Sequence, residues 1–330
     1  MSNSYLSIST LLLDALFSRP FEPAACESVA EWWPRHREVC AQWTAPIARA
    51  IIGGFDADRV AWAFGAGYQA ALRALDPSLA DDAIACLCVT EAGGNTPRSI
   101  AATLSASDNG YSLNGRKKWT TLGSEGAHLL VVARLADGAH GERARLKVAR
   151  VNAQAPGVRI ATMPATGFVP ELPHAEVHLN AVKVEAKDLL PGDGYALVVK
   201  PFRTIEDIHI NAAILAYLVR EARRFAWPGQ WIAQTVAQIV GFAELARLDA
   251  THSATHIALE GALASSRRLT TGADALWETR TDSGAARRWK RDSALFGVAG
   301  GARSARFARA CESLGIASDP THLRGASKAP

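Results

Sequence analysis

The motifs that most often give an enzyme away are missing from this chain: it has no GxSxG elbow, no P-loop, no GxGxxG after a strand, no CxxC pair and no HExxH. Cysteine is scarce and odd in number. Cys26, Cys40, Cys86, Cys88 and Cys311 follow no regular spacing, which favours reduced thiols in a cytosol over a disulfide framework. The opening MSNSYLSISTLLLDALF lacks a basic leader and its apolar run is broken by Asp14, so neither a signal peptide nor a membrane span is expected. Charge of one sign is lacking as well. A net charge of +4 gives no case for a nucleic-acid partner, yet it does not repel an anionic substrate.

What is present is ordinary for a globular enzyme. Hydrophobic residues make up 48% and charged residues 21% of 330 positions, enough to bury a substantial core shared by two or three subdomains. The pattern predicts an α+β protein in three parts: an N-terminal helical domain over 1–83, a β-barrel or sandwich over 84–190 and a C-terminal helical bundle over 191–330. In the first part, Leu11, Leu12, Leu16 and Phe17 recur at helical spacing. Pro34 and Pro46 read as breaks, and Asp56 opens a helix running to about Leu75. Trp32, Trp33, Trp43 and Trp62 are read as core rather than as a ligand pocket.

Strand-length apolar segments then recur at short intervals: 84–89, 101–105, 111–113, 117–121, 129–135, 146–151, 158–162 and 175–184. Alternation puts His174, Glu176 and His178 on one face. Because Ala175, Val177 and Leu179 make the other face apolar, the trio reads as the wet side of a half-buried strand rather than as a metal site. His252 and His256 likewise lack a companion Glu, and no metal is expected there. From Pro201 the period is helical again. Thr204 is read as an N-cap with Asp207 at the capping-box position, and Trp227-Pro228 ends that helix. Further helices are expected over 230–248, 256–277 and 285–314, and a loose tail over 316–330. The last of those helices carries Arg287, Arg288, Lys290, Arg291, Arg303, Arg306 and Arg309. This basic stripe reads as a solvated or subunit-facing surface, with phosphate contact as the alternative.

The segments CVTEAGGNTP, GYSLNGRKKWTTLG and AHLLVVARL resemble, in order and spacing, the middle domain of the flavin-dependent acyl-CoA dehydrogenases, where TEP-x-AGSD is followed by LNGxKxWITNG. The resemblance implies the three-part fold above, FAD as cofactor and an acyl-CoA or acyl-carrier-protein thioester as substrate. It implies removal of the α-proton by a carboxylate and passage of the β-hydride to the flavin, in a cytoplasmic homodimer with an unspecified electron acceptor. Related flavin oxidases or monooxygenases, or a non-catalytic thioester-binding or partner-binding descendant, are the alternatives.

By the same resemblance Val89, Thr90, Trp119, Thr120 and Thr121 fall at the family's contacts to the flavin ring, and Gly93 and Thr96 at the glycine and serine of its AGSD loop. Ala92 and Pro97 depart from that pattern. The RxxFG and GGxGY segments that hold the adenosine diphosphate of FAD have only echoes here, in Arg223-Arg224-Phe225-Ala226 and Gly300-Gly301-Ala302-Arg303. Glu206 falls where some members carry the catalytic glutamate, with Asp207 as the alternative base.

Overall fold

The computed structural model describes residues 8–136, 145–280, 283–298 and 300–317. The helical first part holds α1 (Ile8–Ser18), α2 (Val29–Cys40), α3 (Pro46–Asp56) and α4 (Val60–Leu75). The sheet follows as β1 (Ala85–Cys88), β2 (Thr103–Ser107), β3 (Gly110–Thr121), β4 (His128–Leu135), β5 (Leu146–Asn152), β6 (Val158–Thr162) and β7 (His174–Val184). The bundle comprises α5 (Lys200–Arg224), α6 (Gly229–Leu245), α7 (Ser253–Glu278), α8 (Gly284–Asp292) and α9 (Gly300–Leu314). The α+β layout expected from the periodicities is therefore the observed one, with the β region a single seven-stranded sheet in the order β1-β4-β2-β3-β7-β6 and β5 paired to β4. Pairing is antiparallel except for β1 and β2 on β4.

Several local expectations are corrected. Pro34 does not end α2, which runs through it, whereas Pro46 occupies the first turn of α3, where its missing N–H costs nothing. The strand segments 111–113 and 117–121 belong to one long β3, with register shifts between Leu113 and Gly115 and between Lys117 and Thr120. The helix expected over 285–314 is two helices, separated by a 3-10 turn at Ser293–Gly297. Thr204 is not an N-cap: α5 begins at Lys200, continuing a π turn at Tyr195–Val199, and the Thr204 hydroxyl is buried without a partner. Most of the expected loose tail lies outside the described residues.

One continuous hydrophobic core joins all three parts. Its centre is α5, which packs on α3 and α4 so closely that glycine is required: a Cβ on Gly54 would lie 2.6 Å from Ala213 Cα, and one on Gly67 2.6 Å from Ile210 Cα. That contact sets the axial position of α5, and so the place of every side chain on its first turns.

The three parts are also tied by charge. Arg59, at the start of α4, is almost wholly buried and bonds Asp58, Glu27 and Glu171. Glu171, in the loop before β7, also takes Arg291 of α8 at 2.8 Å. Asp292 completes the cluster, accepting from Arg291 at 2.7 Å and from the Val169 backbone N–H at 2.8 Å. No described helix is long and apolar enough to cross a membrane.

Candidate active site

The geometry of the site begins with a buried ion pair. Lys117 is fully buried, and its Nζ donates to Glu91 Oε1 at 2.6 Å and to the Val89 carbonyl at 3.3 Å. Glu91 in turn accepts from the backbone N–H groups of Ala101 and Ala102. With both charges paired and the carboxylate filled by further donors, the pair is tolerated in the interior, and it pins the turn after β1 to β3. Lys118 N–H adds a bond to the Thr90 carbonyl at 2.8 Å.

One residue further, β3 bulges. Trp119 has φ 57, a left-handed conformation rare for a bulky side chain, at the second register shift of the strand. The bulge leaves the indole 51% exposed, edge-on to His174 at 6.1 Å between ring centroids. A large aromatic held out of a strand by strained backbone is a platform for a ligand rather than a core residue. Thr121 resumes the strand, with its hydroxyl 3.5 Å from His174 Nε2.

Three cavities meet at this point. The first, about 490 Å³, is mostly apolar and is enclosed by Phe64 of α4, Trp119 and Thr121, Leu172, Ile210 and Ile214 of α5, Leu263 of α7 and Phe296. The second, about 150 Å³, is bounded by Tyr68, Val89, Thr90, Trp119, Thr121 and Phe202. The third, about 670 Å³, opens between the start of α5 and the face of α9. Glu206 lines all three.

Glu206 has no hydrogen-bond or ion-pair partner among the described residues. Its pKa is raised from 4.5 to about 7, chiefly by burial, then by the neighbouring Asp207 carboxylate, with Arg303 and Arg203 pulling the other way. Asp207 is placed differently although it is the next residue. It turns towards α9, where Arg303 and Arg306 each hold it at 2.7 Å.

The residues singled out in the sequence thus divide. Val89, Thr90, Trp119, Thr121 and Glu206 come together around the cavities. Thr120 points inward, almost wholly buried, with its hydroxyl donating to Cys88 Sγ at 3.7 Å. Gly93 and Thr96 are exposed and line none of the three cavities; Thr96 is engaged with Ser99, and Asn95 is the residue of that loop which faces inward. His174, Arg203 and Arg303 are wall residues that sequence reasoning did not assign. For Arg303 the signal was the basic stripe, whose two halves lie on separate helices: Arg288 and Arg291 join the buried charge network, while Arg303 and Arg306 face Asp207.

Of the polar trio on β7, Glu176 is bonded by Arg116 and Lys118 with His178 3.5 Å away, whereas His174 faces Trp119 and Thr121 instead. His252 caps α7 by accepting from Ala254 N–H, and His256 bonds the Ala250 carbonyl. Among the described residues no cluster of His, Cys, Asp or Glu is arranged to hold a metal ion. All five cysteines are buried and free, and burial raises the Cys88 thiol to about 11.

The residues fit a flat heteroaromatic ring at one end and not at the other. Around the second cavity, two hydroxyls, an apolar strand end and an exposed indole provide a face and hydrogen-bonding edges. The adenosine-binding echoes are otherwise engaged: Arg223 donates to the Leu16, Phe17 and Arg19 carbonyls, and Arg224 pairs with Glu22. Gly300 and Gly301 make no close approach, since a Cβ on either would meet nothing within 4 Å.

Residues 86–182 match the acyl-CoA dehydrogenase middle domain. Benzylmalonyl-CoA dehydrogenase of Aromatoleum aromaticum is 30% identical over 158 residues, which is 47% of this chain and 40% of that relative's length. In fold, butyryl-CoA dehydrogenase from Megasphaera elsdenii superposes with a TM-score of 0.71 at 14% identity, covering 95% of this chain and all of that one (100%). The FAD complex of PigA superposes at 0.64 and 14% identity, covering 88% and 90%. Residues 86–182 thus match the acyl-CoA dehydrogenase middle domain, and the helical parts on either side of them share the fold of the solved acyl-CoA dehydrogenase structures.

Proposed function

We propose that the protein is an FAD-dependent dehydrogenase of acyl thioesters, with Glu206 as the catalytic base. The observation that carries this reading is the position of Glu206: an unpaired carboxyl with its pKa near 7, at the junction of an apolar cavity and the cleft bearing Thr90 and Trp119. A base that works on a weakly acidic carbon-bound proton needs a pKa near the working pH, and burial supplies that here. Asp207, held by two arginines, is the poorer candidate.

In this scheme the apolar cavity takes the acyl chain and excludes water from the α-carbon. Glu206 accepts the α-proton, the β-carbon gives up hydride, and the pair of electrons left in the α C–H bond becomes the new C=C bond. FAD, when bound, supplies the acceptor for that hydride. Val89, Thr90, Trp119 and Thr121 would hold its ring, with Thr120 serving the strand core behind them. Asp207 also lines the apolar cavity, but Arg303 and Arg306 pair with it, so Glu206 is the one unpaired carboxylate there.

Replacing Glu206 with Gln tests the assignment, because it keeps the shape and removes the base. Flavin bleaching by an accepted acyl thioester, followed by stopped flow, should slow by at least about a hundredfold while FAD stays bound. An unchanged rate would exclude Glu206, and loss of bleaching in Asp207→Asn alone would transfer the role to Asp207.

The same proposal includes a cytoplasmic homodimer built on the bundle, with the three parts 1–83, 84–190 and 191–330 as its domains. Exposed large apolar side chains lie at Leu248, Leu314 and Ile316 of the bundle, as they do at Leu11, Phe17 and Phe21 of the first part, and a two-fold pairing is the commonest closed assembly that would cover such surface. Light scattering at micromolar concentration should return twice the chain mass of 35.1 kDa.

A further inference from the structure

We infer that Tyr68 of α4 is a further catalytic residue: its phenol donates the hydrogen bond that holds the thioester carbonyl and takes up the charge that builds on that oxygen as the α-proton leaves. The inference rests on the reading of Glu206 as the base. Tyr68 is almost wholly buried, and it walls the second cavity, of about 150 Å³, together with Glu206. In a space that small, one bound thioester group meets both.

The hydroxyl of Tyr68 is only half used. Its oxygen accepts from the Leu87 backbone N–H of β1 at 3.0 Å, while its own proton has no acceptor among the described residues. The bond to Leu87 alone would explain an acceptor at this place, not a proton left over beside a cavity, where a buried donor without a partner is costly. The aim of the ring is fixed as well. Phe202 of α5 packs edge-on to it at 6.1 Å and Phe64 lies stacked at 6.3 Å between ring centroids, so the donor is in place before a substrate arrives. Burial pushes the phenol well above its usual pKa, with Cys86 and the Glu206 carboxylate acting the same way, and the proton therefore stays on the oxygen at neutral pH. Other donors of that wall are engaged elsewhere: Lys118 pairs with Glu176 at 3.1 Å, and Thr121 faces His174.

The step balances without a further reactant. The α C–H bond breaks, its proton goes to Glu206, and its electron pair moves towards the carbonyl, whose oxygen gains negative charge against the Tyr68 O–H. When the β-carbon gives up hydride to the acceptor already named, that pair returns to form the C=C bond. Tyr68 keeps its own proton throughout.

Tyr68→Phe keeps the ring and removes the donor. Stopped-flow bleaching of the flavin in the holoprotein should slow about a hundredfold with little change in the half-saturating thioester concentration, because the lost bond is strongest in the transition state. A role in folding alone would also slow the reaction, so the second readout is the carbonyl itself. With the flavin reduced beforehand by dithionite, a saturated thioester isotope-labelled at its carbonyl carbon binds without being consumed, and its C=O stretch should rise in Tyr68→Phe. Fluorotyrosine in place of Tyr68 keeps ring and hydroxyl, makes the phenol a stronger donor and should lower the stretch, which decides the matter even if the Phe variant does not fold. A stretch unmoved by either change, or bleaching at the wild-type rate in a folded Tyr68→Phe, overturns the inference and leaves Glu206 standing as the base. A Phe variant that shifts the flavin absorbance without thioester and leaves the stretch alone assigns the phenol to the flavin ring, and overturns it too. If no thioester reduces the wild-type flavin, the proposed reaction fails and this inference fails with it.

Discussion

Two groups of arginines in this molecule face opposite ways in electrostatic terms. Around Arg59, Arg291 and Asp292 each charge lies within bonding distance of an opposite one, and the cluster ties the first helices, the loop before β7 and α8 together. At the mouth of the third cavity Lys200, Arg203 and Arg309 have no such partner, although Asp207 lies in the same wall. The first arrangement is what folding alone selects, since a buried charge left unpaired is costly. The second costs the fold little, because Lys200 and Arg309 are exposed to water and Arg203 acts on Glu206.

The contrast is most sharply tested by removing one member of the paired group. Arg59→Ala leaves Asp58 buried with no cation and should cost about 3 to 5 kcal/mol, read from the urea midpoint. A loss of less than about 1 kcal/mol would mean that the network behaves as an exposed surface cluster. Lys117→Met should cost almost as much, because Glu91 would stay buried without its partner. Adding Glu91→Gln to it should recover part of the loss, which a double-mutant cycle would show.

A pH profile gives a smaller but more pointed effect. With its pKa near 7, Glu206 should make kcat/KM rise as pH passes upward through about 7. Arg303 holds that pKa down, so Arg303→Gln should move the midpoint to higher pH. Glu206 also bears on stability. Its folded pKa of about 7 exceeds the ordinary 4.5, so the folded state binds the extra proton and wild type loses stability as pH rises from about 4.5 to about 7. Glu206→Gln should not show that loss. Smallest of all should be the effect of Lys200→Gln with Arg309→Gln on thermal stability. Without partners in the fold, these residues should change it by no more than about 0.5 kcal/mol.

Much of the architecture was legible before any coordinate. The change of period from helical to strand and back located the strands to within a few residues, though it split β3 in two, because a half-buried strand and an amphipathic helix expose different spacings of apolar side chains to the core. The segments around Thr90 and Trp119 were recognisable by their resemblance to a known family's motifs, while the bulge at Trp119 came only with the structure. Glu206 was marked by its position at the start of a helix, not by any property of the residue itself.

What the sequence by itself determined, then, was local: the element types, their order and the strand motifs, since each follows from neighbours a few residues apart. Only the tertiary structure decided the rest. It turned Asp207 onto α9 and left its neighbour Glu206 unpaired, because consecutive residues on a helix point about 100° apart and different elements pack against each. It divided one basic stripe between a buried network and an open cavity, since a 3-10 turn breaks the helix that the pattern had read as continuous. Pairing of charges distant in sequence, and the burial that shifts a pKa, exist only once the chain has closed around them.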